Sequence, residues 1–282
     1  MTVCYTLKSF NHAISCLPAN CKIGFVPTMG ALHQGHISLV QKAKEYTNCV
    51  VVSIFINPTQ FNNSSDLANY PRTIQEDCKK LEAVGVSIIL VPSVQEIYPK
   101  RDERVFNLGG LDKTGEGAGR PGHFNGVAQV VSRLFDIVKP SFAFFGEKDF
   151  QQLAIIKHIT KKLNYPIEII ACPTKRESDG LAMSSRNMLL NPQQRAAVPL
   201  IFKTLEKAAK MVSAQNLLIP KELSMWVTSQ INKNPLIKVE YVQIVDTFTL
   251  KPIESWSDSK NIQLCLAVHT GSVRLIDNIK LK

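Results

Sequence analysis

Pro27-Thr28-Met29-Gly30-Ala31-Leu32-His33-Gln34-Gly35-His36 is the stretch whose reading decides the fold. It follows the apolar run Ile23-Gly24-Phe25-Val26 and leads into Ile37-Ser38-Leu39-Val40-Gln41-Lys42-Ala43, which has the pattern of a helix. The order is strand, glycine-containing turn, helix start. A helix start offers unpaired backbone N–H groups and a partial positive charge, so it suits phosphate. His33 and His36 are three apart and share a face once the helix has begun. Two imidazoles there suit a phosphorus centre gaining negative charge. Gly30 and Gly35 let the backbone take unusual angles and let a ligand come close. His-x-x-His is also half a zinc site. No His-Glu-x-x-His pattern and no third ligand at a workable spacing accompany it, so no metal ligand is expected.

Working outward, apolar β-branched runs alternate with helix-like segments. Strands are expected at 22–27, 49–56, 86–91, 142–145 and 167–171, and amphipathic helices at 73–84 and 126–138. That alternation indicates a parallel sheet covered on both faces, a Rossmann-like doubly wound α/β fold. After about residue 174 the character shifts. Helical patterns at 192–213 and 220–233 precede strand-like 239–245 and 263–268, which read as antiparallel strands of a smaller C-terminal α+β domain. The expected division is therefore 1–174 and 175–282. Gly115-Glu116-Gly117-Ala118-Gly119-Arg120-Pro121-Gly122 reads as a long mobile loop; such loops usually just connect elements, but one this rich in glycine could also close over substrates.

A chain of 282 residues with 45% hydrophobic composition can bury a substantial core. No apolar run approaches the length of a membrane span, and the N-terminus lacks the order of a signal peptide. The seven cysteines are scattered without a Cys-x-x-Cys pair, so no disulfide framework is expected and a reducing cytoplasm fits. The net charge of +10 divides into +4 for 1–174 and +6 for 175–282. No basic block or basic–aromatic stretch accompanies it, so a cleft for anionic small molecules is favoured over nucleic acid.

Three further segments fall where strands end, the place where doubly wound sheets bind ligands. Asn57-Pro58-Thr59-Gln60-Phe61 offers uncharged donors and acceptors for a hydroxyl or carboxylate, or a plain Asn-Pro turn. Gly146-Glu147-Lys148-Asp149-Phe150-Gln151-Gln152 offers Lys148 for phosphate oxygens and Asp149 for ribose hydroxyls. Met183-Ser184-Ser185-Arg186-Asn187, preceded by Asp179-Gly180, pairs hydroxyls with a guanidinium that matches phosphate geometry. The P-loop, nucleophile-elbow and dinucleotide fingerprints are all missing.

These segments closely resemble the pantothenate synthetase (pantoate–β-alanine ligase) family of the His-x-Gly-His nucleotidyltransferase superfamily. The resemblance spans nearly the whole chain. It includes 27–36, 55–61, Tyr70-Pro71-Arg72-Thr73, His123-Phe124-Asn125-Gly126-Val127, 146–152, 179–187 and Arg274-Leu275-Ile276-Asp277-Asn278. Gln34 stands where an acid is frequent and Thr59 where Met is frequent; neither carries an assigned role.

The resemblance implies ATP-dependent condensation of (R)-pantoate with β-alanine through pantoyl adenylate, giving pantothenate, AMP and pyrophosphate. It implies that Met29, Gly30, Ala31, Leu32, His33, Gln34, Gly35 and His36 form the ATP-binding turn. It implies His36 as the general acid or charge stabiliser, with His33, Lys148 and Arg186 as further catalytic groups. Gly146, Glu147, Lys148 and Asp149 would hold ribose and phosphates. Lys175 would meet the nucleotide through its backbone, and Met183, Ser184, Ser185 and Arg186 would clamp the phosphates. Gln60 would touch pantoate and β-alanine, and Gln152 pantoate, with Asn57 beside them. The first domain would bind ATP and pantoate, and the second would act as a lid. Mg²⁺ would accompany ATP, and a cytoplasmic homodimer without nucleic-acid or membrane partners is expected. The alternative is a nucleotidyltransferase of the same superfamily acting on another small acceptor. A synthetase-like RNA-binding protein has only the spread positive charge in its favour.

Overall fold

The computed structural model describes residues 1–62, 64–214 and 218–282. The chain divides into two compact units. The first comprises Met1–Gly109, Arg120–Glu147 and Ile155–Pro173, and the second Gly110–Gly119, Lys148–Ala154 and Thr174–Lys282.

Among the described residues, the first unit carries a six-stranded sheet of β1 (Thr2–Cys4), β2 (Ile23–Thr28), β3 (Cys49–Ile54), β4 (Ile88–Leu90), β5 (Phe142–Gly146) and β6 (Glu168–Cys172). All its pairings are parallel, in the order β1-β4-β3-β2-β5-β6. Burial on both faces explains the near-continuous apolar runs, with β3 buried at every position. The chain runs β2, β3, β4 in one direction across the sheet and then starts again on the other side of β2 with β5 and β6. The gap between β2 and β5 is thus the topological switch point, where a crevice opens beyond the carboxyl ends. The helix Leu7–Ser15 and the short β1 were not anticipated; the three residues of β1 carry too little pattern.

The second unit holds an antiparallel sheet, β7 (Lys238–Asp246), β8 (Ile262–Thr270) and β9 (Val273–Lys280). Helices Pro199–Ser213 and Pro220–Asn232 supply Ile201, Leu205, Leu223 and Val227 to its core, against Ile244, Leu264 and Val268. Where one helix was expected at 192–213, there are two. Pro199 has no N–H to donate and starts a new helix after Pro192–Ala197. β9 was missed because its buried positions include Asp277 and Asn278, which break the apolar alternation.

Two expectations are corrected. The glycine-rich 115–122 segment is not simply a loop: Gly115–Gly119 forms a short helix with Glu116 and Gly117 buried. A Cβ on Gly117 would lie 2.0 Å from the Asp112 carbonyl oxygen, so the glycine is there for close packing. The cysteines are not all unpaired either. Cys21 and Cys49 form a disulfide with a Cα–Cα distance of 6.5 Å. The parallel register sets Ile23 beside Cys49, so Cys21, two residues ahead of β2, meets the start of β3, a proximity that a spacing of 28 does not reveal.

The remaining thiols differ in environment. Burial pushes the Cys172 thiol up to about 11, whereas Cys16 is exposed. Iodoacetamide at pH 8 is expected to alkylate Cys16 while leaving Cys172 unmodified, as peptide mass spectrometry will read; equal labelling would contradict this burial. No helix of the described residues is long and apolar enough to cross a membrane.

Candidate active site

The turn after β2 is built from strained backbone. Gly30 and Ala31 both lie in the left-handed region, at φ 84° and 50°. For Ala31 that conformation costs about 1 kcal/mol and needs support. A Cβ on Gly30 would come within 3.0 Å of Ile54 Cγ2 and 3.2 Å of Asp77 Oδ2, which keeps that position glycine. The Thr28 hydroxyl donates to the Ser53 carbonyl (2.7 Å) and accepts from the Gly30 N–H (3.3 Å), tying the turn to β3.

His33 is the N-cap of helix Gln34–Tyr46. Its Nδ1 accepts from the Gly35 N–H at 3.1 Å, while the His33 N–H donates to His36 Nδ1 at 3.3 Å. The rings lie 4.1 Å apart. Because each Nδ1 accepts a backbone proton, each neutral ring carries its own proton on Nε2. The sequence therefore writes a pair of imidazole N–H donors into a helix start.

This alters how the turn can meet an anion. The N–H groups of Gly30, Ala31, Leu32, His33, Gly35 and His36 are all bonded within the protein: Ala31 and Leu32 donate to Asp77 at 2.9 and 2.8 Å, and His36 to the His33 carbonyl at 2.9 Å. These six backbone donors, expected from sequence to be unpaired, are engaged within the turn and its supports. The imidazole side chains add donors of their own at this helix start.

At the end of β3, Asn57 is buried and its polar atoms are spent internally. Its Oδ1 accepts from the Tyr98 hydroxyl (3.0 Å) and the Thr59 hydroxyl (3.0 Å); its Nδ2 donates to the Gly126 carbonyl (3.1 Å) and Gln60 Oε1 (3.3 Å). Gln60 Nε2 in turn reaches Met29 Sδ at 2.9 Å, so Gln60 and the turn are neighbours. His123 Nδ1 lies 2.7 Å from the Gln60 carbonyl, which can only accept, so Nδ1 carries the proton. Its Nε2 then accepts from Arg120 at 3.1 Å. Burial pushes the Tyr98 hydroxyl's pKa up, keeping it a donor to Asn57. Gly146 and Glu147 also belong to the first unit.

The second unit contains Lys148, Asp149, Gln152, Lys175, Met183, Ser184, Ser185 and Arg186. Lys148 Nζ stands 3.2 Å from Asp149 Oδ1. The Lys148 carbonyl accepts from Asn278 Nδ2 (2.9 Å), and Asn278 Oδ1 accepts from Gln263 (2.7 Å). Gln152 is half-buried in the first turn of helix Phe150–Lys162. Its neighbour Gln151 instead bonds the carbonyls of Leu111 (2.6 Å) and Thr114 (2.9 Å). The Lys175 carbonyl accepts from the Met183 N–H (3.0 Å), closing a hairpin-like turn around Gly180. Arg176 fastens that turn to β9 through a two-point bond to Asp277, at 2.7 and 2.9 Å, with its guanidinium 3.6 Å from the centre of the Phe202 ring. Ser184 caps the short helix Ser185–Leu189 by accepting from the Arg186 N–H at 3.3 Å. The Arg195 guanidinium beside Asp179 holds that carboxyl below the usual range.

Sequence reasoning assigned no role to Asp77, Lys80, Tyr98, Arg176 or Gln263. Each acts on the segments above through a partner far along the chain, and no local pattern marks it. Asp277, Asn278 and His123 were quoted within matching motifs, but without a task. The Glu116 carboxylate is held by Arg274 at 2.7 and 2.8 Å and by the Tyr241 hydroxyl at 2.9 Å.

A doubly wound sheet with a histidine-bearing helix start at its switch point defines an α/β protein built to handle nucleotide phosphates. Comparison with known proteins narrows the class. A family model of pantoate-beta-alanine ligases matches residues 2–280. A pantothenate synthetase of Bacteroides thetaiotaomicron is 47% identical over 283 aligned positions, covering 100% of this chain and 99% of the relative. One of Azobacteroides pseudotrichonymphae is 52% identical over 261 positions, 92% of each chain. The crystal structure of pantothenate synthetase from Thermus thermophilus superposes with a TM-score of 0.92 at 37% identity, covering 100% of this chain and 99% of that one. Pantoate-beta-alanine ligase from Francisella tularensis, complexed with beta-gamma ATP and beta-alanine, gives 0.81 at 37% identity, with 100% and 98% covered. The chain belongs to the pantoate–β-alanine ligase family and is an enzyme of that kind.

Proposed function

We propose that this chain joins (R)-pantoate to β-alanine in two steps. A pantoate carboxylate oxygen attacks the α-phosphorus of ATP and pyrophosphate leaves, giving pantoyl adenylate. The β-alanine amine then attacks the acyl carbon, the bond to AMP breaks, and pantothenate is released. Adenylation is needed because a free carboxylate oxygen is a poor leaving group toward an amine. The observation that carries this reading is the His33–His36 pair, whose Nδ1 bonds put an N–H donor on each Nε2 at the switch point. Donors fixed beforehand stabilise charge growing on the α-phosphoryl oxygens without reorganisation.

In this reading Met29–His36 as a turn receives ATP through its histidines. Gln60 contacts pantoate and β-alanine, with Asn57 setting its orientation, and Gln152 contacts pantoate. Gly146, Glu147, Lys148 and Asp149 serve ribose and phosphates, Lys175 meets the nucleotide, and Met183, Ser184, Ser185 and Arg186 grip phosphate oxygens. Residues 1–174 form the ATP- and pantoate-binding domain, and 175–282 the lid. Mg²⁺ enters with ATP as part of the substrate, held mostly by phosphate oxygens and water. A cytoplasmic homodimer completes the proposal.

The test measures pyrophosphate and AMP release from ATP and Mg²⁺ with pantoate, with and without β-alanine. Sustained AMP release only with both substrates is expected, with about one equivalent of pyrophosphate when β-alanine is withheld. A stable adenylated product with β-alanine present would favour the nucleotidyltransferase alternative. Lys148→Ala should slow adenylate formation roughly 10–10²-fold while leaving pantoate affinity within a small factor, since it serves charge in the transition state. Pantoate titration of the variant exposes the opposite result.

A further inference from the structure

Asp77 is wholly buried, yet it belongs to none of the substrate-facing segments. It sits on helix Ile74–Ala83, one turn past Thr73. Its two oxygens are divided between consecutive backbone donors: Oδ2 accepts from the Ala31 N–H at 2.9 Å and Oδ1 from the Leu32 N–H at 2.8 Å. The Thr73 hydroxyl adds a third donor, at 3.2 Å to Oδ2. Lys80 lies three residues on, on the same helix face, and its Nζ reaches the Leu32 carbonyl at 2.7 Å. One helix thus grips both the N–H and the carbonyl of Leu32, immediately ahead of the N-cap histidine.

The grip falls where the backbone needs it. Ala31 stands at φ 50°, a conformation an L-residue with a Cβ does not keep unaided. Two carboxylate bonds to successive N–H groups over-determine that geometry, as is required of strained backbone at functional sites. The direction in which the chain leaves the turn fixes where His33 enters the helix. The reciprocal bonds between His33 and His36 then pass that direction to His36.

We propose that Asp77, assisted by Lys80, is a positioning residue for the adenylation step, aiming the His33–His36 donors at the α-phosphoryl group. This rests on the reading that the pair acts on ATP, and the test separates the two. Asp77→Asn keeps shape and one acceptor but turns an amide N–H₂ toward a backbone N–H. Lys80→Met, at an exposed position, releases only the Leu32 carbonyl and leaves the core untouched.

The experiment measures single-turnover adenylate formation from ATP and pantoate, attack of β-alanine on supplied pantoyl adenylate, and thermal stability, for both variants beside His36→Ala. Asp77→Asn is expected to slow adenylation roughly tenfold and Lys80→Met about threefold, since small misplacements of reacting groups are costly. The second half-reaction should stay within about twofold, because aiming at the α-phosphorus no longer matters there. Both half-reactions falling in parallel with melting temperature would make Asp77 merely structural and overturn the proposal. Unchanged adenylation in both variants, with His36→Ala impaired, would also overturn it while sparing the parent reading. Unchanged adenylation in His36→Ala itself would remove the parent reading. If Asp77→Asn does not fold, Lys80→Met decides by the same split.

Discussion

Replacing His36 with alanine is expected to lower the rate of adenylate formation roughly 10²–10³-fold, the range for losing one preorganised donor to a developing oxyanion. The size follows from geometry. The His33 N–H bond to His36 Nδ1 leaves the His36 proton on Nε2, so the ring donates without first becoming charged. Alanine also removes the acceptor that satisfies the His33 N–H, at a cost of about 1 kcal/mol in helix capping. That stability loss is too small to account for the rate. His36→Gln keeps an amide donor and should recover part of the activity. A single-turnover assay reads the outcome, and wild-type adenylation in His36→Ala would remove the histidine from the chemistry.

The second large effect is expected from Gly126→Ala. Gly126 lies inside the helix His123–Val138, where alanine ordinarily gains about 1 kcal/mol over glycine. Here the helix is pressed against the Asn57–Gln60 turn: a Cβ would stand 2.4 Å from the Thr59 carbonyl oxygen and 2.9 Å from the Gln60 nitrogen. Both are backbone atoms, so the clash is relieved only by moving the turn or the helix. Overpacking of that kind costs about 1–3 kcal/mol and outweighs the helix propensity. It also disturbs Asn57, whose amide donates to the Gly126 carbonyl, and through it Gln60. A lowered denaturation midpoint together with a roughly tenfold weaker pantoate KM is therefore expected, since misplacement on the ångström scale costs that much. A stabilised variant with unchanged KM would show that the contact yields freely.

The two effects come from features of unequal visibility in the sequence. His36 is legible because strand, glycine turn and helix start follow one another locally, and the chemistry of imidazole at that position narrows the choices. Gly126 is visible as a glycine in a helix, but its reason is a carbonyl contributed from 67 residues earlier. Asp77 is less legible still. An acidic residue on an amphipathic helix reads as a solvated face, and only the packing of that helix beneath the β2 turn reveals a buried carboxylate. The same limit hid the Cys21–Cys49 pair and β9, whose inward positions are polar because Asp277 meets Arg176 and Asn278 holds the Lys148 carbonyl.

By itself the sequence determined the periodicities, and so the doubly wound sheet, the smaller α+β part and the segments that emerge at strand ends. Periodicity is a local property: apolar side chains recurring along the chain must face a core, whatever else happens. Tertiary structure alone decided what the backbone donors at those strand ends meet. The turn after β2 spends four of its backbone N–H groups on Asp77 and on its own histidines, which shifts weight in the anion-facing chemistry toward the two imidazoles. The reason is that hydrogen-bond satisfaction depends on which groups meet in space, and residues 31 and 77 meet only when the helix packs against the sheet.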